Sequence, residues 1–104
     1  MLVNQNFGQV IEALKKGKLV ANKEWNNKEM VIFERPTDLV DINFIEKIKT
    51  LPQSIKDFIC PETTLLSKIK FTGYLCMYMA GGTIINGWTP TYEDLISNNW
   101  IIFD

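Results

Sequence analysis

The sequence predicts an α+β domain: a small antiparallel β-sheet packed by an N-terminal helix, with a short helical insert between two β-hairpins. Three observations carry this. Residues 7–16 repeat apolar side chains at helical spacing, whereas residues 18–34 and 68–103 hold short β-rich runs broken by Gly, Asn and Pro. The 104-residue length fits one domain, residues 1–104. A chain of this size buries roughly 60–70% of its unfolded surface, so it needs no disulfide or metal staple. Its 46% hydrophobic and 22% charged content is that of an ordinary globular protein.

The helix is defined at both ends. Phe7, Val10, Ile11 and Leu14 share one face at a 3.6-residue period. Asn6 is a good N-cap and Gln9 stands three residues on, as in a capping box. Lys15 and Lys16 suit the negative end of the helix dipole, and Gly17 suits the left-handed position beyond it. Lys18–Asn22 and Met30–Glu34 then read as strands of a hairpin, with Pro36 as its stop. Trp25 falls on the connection, followed by Asn26 and Asn27, which favour turns. It is either a lid over the core or a ligand platform; position alone favours the lid.

Residues 37–67 read as the insert, because a structureless loop of that length is unusual inside a domain. Leu39–Ile42 fits a short strand. Asn43 with Glu46 signals one helical turn, and a second brief helix starts near Ser54 and ends at Pro61. Residues 68–79 alternate strongly, and Gly73 marks a bulge or bend within them. Beyond Gly73, Leu75, Met77 and Met79 oppose Tyr74, Cys76 and Tyr78; a strand covered on one face and used at an interface on the other reads this way. Ala80–Thr83 is a tight hairpin turn whose glycines meet a positive-φ demand, and Thr83–Asn86 pairs back. Thr91 and Asp94 form a second capping-box signal, with Leu95 and Ile96 as the buried residues of a short helix, and Trp100–Phe103 is the last strand.

Composition excludes several functions. With 11 basic against 12 acidic residues, net charge −1 and one arginine, Arg35, there is no basic face for a nucleic acid. No run of 18 apolar residues is present for a membrane span, and no apolar run follows a basic start as in a signal peptide. The absence of histidine removes the commonest general base and zinc ligand. Cys60 and Cys76 stand apart with no C-x-x-C, which fits two free thiols in a reducing cytosol. Catalysis would rest on carboxylates. Glu93 and Asp94 are adjacent and face different ways on a helix, and Asp38 and Asp41 have no evident partner, so solvated charge is the simpler account of all four. No metal or cofactor is expected.

A ligand pocket has more support. Trp25, Trp88, Tyr74, Tyr78 and Tyr92 offer flat faces on which a purine can stack. Asn26, Asn86, Thr89, Thr91 and Asp94 supply polar groups close to Trp25 or Trp88 in sequence, and a helix start at 91–94 offers backbone N–H groups to a phosphate. Against this, Trp88 and Trp100 serve equally as core, and Thr91 as a cap alone.

Two ordered patterns in these residues resemble a known family. The first is Phe7-Gly8, Ala13-Leu14, Gly17-Lys18, Val20-Ala21 and Trp25-Asn26. The second is Gly82-Thr83-Ile84, Trp88, Asp94-Leu95 and Asn99-Trp100. Together they resemble the Thoeris anti-defence two family of bacteriophage proteins, over roughly residues 6–34 and 70–104. The chain departs from the family pattern in lacking an arginine near Asn22 or Lys23, in carrying Asn99 where an acid usually precedes the last tryptophan, and in its long 37–67 region. The resemblance implies a sponge and not an enzyme. It would bind glycocyclic ADP-ribose, a cyclic ADP-ribose isomer made by TIR-domain proteins, and so block Thoeris effector activation in the cytoplasm of the infected bacterial host. It also implies a homotetramer with pockets between protomers, and, in some relatives, binding of cyclic dinucleotides. The expected ligand-binding residues are Trp25, Asn26, Asn86, Trp88, Thr89, Thr91 and Asp94. A protein-interaction module that inhibits a host defence protein directly is the alternative, and a small hydrolase built on Asp94 a third.

Overall fold

The computed structural model describes residues 1–25, 29–59 and 66–104. Asn26 and Cys60 therefore lie outside the described residues. The fold is α+β, as the periodicities require, and divides into two compact units: Met1–Pro36 with Gly73–Asp104, and Thr37–Thr72.

The larger unit contains a six-stranded antiparallel sheet. Its strands are β1 (Leu2–Gln5), β2 (Leu19–Asn22), β3 (Val31–Arg35), β6 (Tyr74–Met79), β7 (Thr83–Asn86) and β8 (Trp100–Phe103), in the order β1-β8-β2-β3-β6-β7. β8 thus lies between the two N-terminal strands, in register Leu19↔Phe103 through Asn22↔Trp100. Helix α1 (Phe7–Lys15) covers one face. Both its ends form as expected: the Asn6 and Gln9 side chains complete a capping box, and Gly17 takes a φ of 81°. The Gly17 and Lys18 N–H groups donate to the Leu14 and Ala13 carbonyls, the Schellman pattern that satisfies the last turn. The apolar face of α1 buries Val10, Ala13 and Leu14 against Val20, Ile32, Trp100 and Ile102. Each large side chain so buried contributes about 1.5–3 kcal/mol.

Two features of this unit differ from expectation. β1 carries little periodicity, since two apolar residues are followed by two polar ones. It contains a bulge, with Leu2 opposite Ile102 but Gln5 opposite Trp100, and Asn4 takes up the extra residue at φ 56°. Helix α3 (Tyr92–Ile96) has the predicted Thr91–Asp94 capping box, but Leu95 and Ile96 are not core: they are 48% and 57% exposed. A five-residue helix is little more than one turn and cannot present a broad apolar face. What fixes it is the Trp100 indole, whose Nε1 donates to the Asp94 carbonyl at 2.9 Å.

The smaller unit pairs β4 (Asp38–Asp41) with β5 (Lys68–Phe71), from Asp38↔Phe71 to Asp41↔Lys68. Residues 68–79 are consequently not one bent strand. The strand itself breaks at Thr72–Gly73, and the halves join different sheets. Between β4 and β5 come a 3-10 helix, Ile42–Lys47, and α2 (Gln53–Ile59). The cap of the 3-10 helix is Asp41, which accepts from the Asn43 N–H at 2.8 Å, and not Asn43 itself. Glu46 bonds Gln53 rather than reaching back as a capping box would. Ile45 is fully buried, and the Lys56 ammonium donates to the Glu46 carbonyl at 2.9 Å.

Candidate functional site

Three tryptophans from distant parts of the sequence converge at the end of the α1-covered core. Trp100 is fully buried. Trp25 stands edge to face with it at 5.4 Å between centroids, and Trp88 does so at 6.4 Å. Trp25 and Trp88 are themselves 6.4 Å apart at 66°. Phe7 closes the other side of Trp100 at 5.6 Å. Trp25 and Trp88 remain half-buried, so each leaves ring surface at the rim while Trp100 is wholly structural. Packing energy and a potential stacking surface therefore come from the same rings.

Each ring is held by its own segment. Trp88 follows β7, and its N–H donates to the Leu75 carbonyl at 2.8 Å. Trp25 closes a turn at the end of β2, its N–H donating to the Asn22 carbonyl at 3.1 Å. Trp100 begins β8 directly across from Asn22.

The polar candidates are distributed unevenly. Thr91 and Asp94 are brought close to Trp100 through α3, but they are engaged with each other. The Thr91 hydroxyl accepts from the Asp94 N–H at 3.2 Å, and the Asp94 carboxylate accepts from the Thr91 N–H at 2.8 Å. The capping box thus occupies both of these polar side chains on the helix itself. Thr89 is exposed next to Trp88. Asn86 is not brought to the rings. It pairs with Cys76, and its Oδ1 accepts from the Cys76 thiol at 3.5 Å. Leu75 and Met77 pack on the core, so the intervening Cys76 and its partner Asn86 face the opposite side of the sheet. Cys76 is a free, buried thiol.

Sequence reasoning missed a polar network behind Trp25. Asn22, only 5% exposed, donates from Nδ2 to the Ser97 hydroxyl oxygen at 3.0 Å. Asn99 donates to Glu24 at 2.6 Å, and the Lys23 N–H to the Asn99 carbonyl at 3.0 Å. The available signal was an Asn at a strand end two residues before Glu24, since Asn there commonly accepts from the N–H two residues on.

Cavities elsewhere in this unit, among the described residues, include these two. One of about 450 Å³ runs between β1 and α1 beside Gln5, Asn6, Gln9 and Lys16. One of about 490 Å³ lies on the sheet face away from α1, floored by Ala21, Met30, Ile101 and Phe103 and rimmed by Lys23, Glu24 and Asn99.

The model of the Thoeris anti-defense 2-like domain matches residues 5–103. The chain belongs to this family. The match spans both units and includes the 37–67 insert that the sequence patterns alone left uncovered. No curated protein matches the chain. Membership in the Thoeris anti-defense 2-like family gives the chain a Thoeris anti-defence role and, at the coarse level, a signalling molecule as its counterpart. Among the described residues, no helix is long and apolar enough to cross a membrane.

Proposed function

We propose that this family member acts as a sponge: it binds a cyclic ADP-ribose-type signal, glycocyclic ADP-ribose, in the cytoplasm of the infected host and withholds it from the Thoeris effector without degrading it. The observation that carries the reading is the convergence of Trp25 and Trp88 at one rim, in a chain matched by the Thoeris anti-defense 2-like family over residues 5–103. An adenine ring placed against these half-buried indoles gains stacking energy without further loss of side-chain freedom, because the indoles are already packed. Thr89, Thr91 and Asp94 are the polar residues assigned to this rim; Asn26 is a candidate only by its place next to Trp25 in the sequence, and Asn86, on the opposite sheet face, is not among them. A nanomolar complex requires about −12 kcal/mol, which a largely preformed pocket supplies more readily than a mobile one.

The first turn of α3, tied to this site through Trp100, carries Glu93 and Asp94, so a diphosphate needs donors from elsewhere. A pocket completed by a second protomer meets that need, and β7 supports assembly. It is the end strand of the sheet, all four of its residues are exposed, and Ile84 and Ile85 are 53% and 43% exposed. It has no charge or proline to deter pairing, whereas the opposite edge, β1, is interrupted by its bulge. The proposed assembly is a homotetramer. Ile84→Lys should leave the fold intact and reduce the mass seen by size-exclusion chromatography with light scattering; an unchanged mass removes β7 from the interface.

Isothermal titration with the cyclic nucleotide tests the binding reading. The expected result is saturable binding by the wild-type protein, with no turnover of the ligand by it or by Asp94→Asn. No binding by the wild-type assembly overturns the sponge. Ligand turnover that Asp94→Asn abolishes replaces it with an enzyme.

A further inference from the structure

We infer that Asn22 is a positioning residue that presets the Trp25 ring before any ligand arrives. The inference takes from the sponge reading only that Trp25 forms part of the ligand platform; the geometry stands by itself. Asn22 is one of two polar side chains buried among the described residues, at 5% exposed. Its carbonyl, Oδ1 and Nδ2 each have a distinct task. Its backbone is held opposite Trp100 in the β2–β8 ladder. Its carbonyl accepts from the Trp25 N–H at 3.1 Å, and its Oδ1 accepts from the Glu24 N–H at 2.9 Å. Its Nδ2 reaches across 75 residues of sequence to the Ser97 hydroxyl at 3.0 Å. The first two acceptors shape the turn that carries Trp25. The amide donor ties that turn to the segment linking α3 to Trp100.

Ser97 is the other half of the clamp. Its oxygen accepts from the Asn99 N–H at 3.1 Å as well as from Asn22. One hydroxyl therefore joins the turn before Trp25 to the residue before Trp100, and those two rings lie 5.4 Å apart at 82°. Buried hydrogen bonds of this kind are costly to leave unmade, so the pair holds one geometry. Asp at position 22 retains the acceptor and loses the donor; Gln moves the amide by one methylene. Asn alone shapes the turn and reaches Ser97 together.

Ligand-free protein labelled with 15N provides the test, through its three tryptophan indole N–H signals, with Trp25→Phe identifying the Trp25 peak. In Asn22→Ala and in Ser97→Ala the Trp25 peak should move toward the position of an unpacked indole or broaden. The double variant should show less than the sum of the two single effects, because both substitutions cut the same tie. Affinity for the cyclic nucleotide should fall roughly tenfold in each single variant. A folded Asn22→Ala protein with an unmoved Trp25 peak overturns the inference. If Asn22→Ala does not fold, Ser97→Ala decides, since it leaves the turn bonds of Asn22 intact: an unmoved peak overturns the inference there too. The indole measurement involves no ligand, so a wild-type protein that fails to bind nucleotide refutes the sponge and not the role of Asn22.

Discussion

Trp100→Ala is expected to remove about 3–5 kcal/mol of folding stability, the cost of truncating a buried aromatic. A domain of this size has about 5–15 kcal/mol in total, so the variant should be largely unfolded at modest urea. The reason lies in how many elements meet at this one side chain. Trp100 packs against Phe7 of α1, against Trp25 after β2 and against Trp88 after β7, and its indole N–H anchors α3 at the Asp94 carbonyl. Trp100→Phe restores much of the volume but leaves that carbonyl without its donor, and should cost about 1–3 kcal/mol. Urea denaturation followed by far-ultraviolet circular dichroism measures both. Trp88→Ala should cost less than Trp100→Ala, because Trp88 is only half-buried. A reversed order would mean that the core is centred elsewhere.

Trp88→Ala and Trp25→Ala are each expected to weaken nucleotide binding by about 1–3 kcal/mol, the range found for removing an aromatic stacked on a base. In affinity this is about five- to 150-fold. The control is Met30→Gln, which alters the floor of the cavity of about 490 Å³ on the opposite face. Titration should show the tryptophan variants impaired and Met30→Gln unaffected. The opposite pattern would put the ligand in that outer cavity and leave the tryptophans as core.

Local signals in the sequence were reliable where the physics is local. α1 announces itself through Asn6, Gln9 and Gly17 because caps act within one turn, and both caps are present. The Thr91–Asp94 box and the strand at Trp100–Phe103 are legible for the same reason. β1 is not, because its pairing partner lies at the other end of the chain and Asn4 interrupts its pattern. The break at Thr72–Gly73 was hidden because alternation continues through it; only the choice of partner, β4 or β3, separates the two halves. Leu95 and Ile96 were misread because an apolar pair in a helix implies a core only when the helix is long enough to have a face.

The candidate site was legible as a set of residue types and not as an arrangement. Trp25 and Trp88 were conspicuous as aromatics beside turns, yet nothing local states that they meet over Trp100. Asn86 was grouped with Trp88 by proximity in sequence, and strand alternation places it on the other face. Asn22 and Ser97 were invisible as a pair because their bond spans 75 residues.

The most direct measurement is capture and release. The protein is incubated with glycocyclic ADP-ribose, free ligand is removed by filtration, the retained protein is heat-denatured, and the supernatant is analysed chromatographically and assayed for effector activation. Recovery of chemically intact nucleotide that again activates the Thoeris effector is the predicted result. Recovery of an altered nucleotide, or of none after wild-type protein has been shown to be folded, would contradict sequestration.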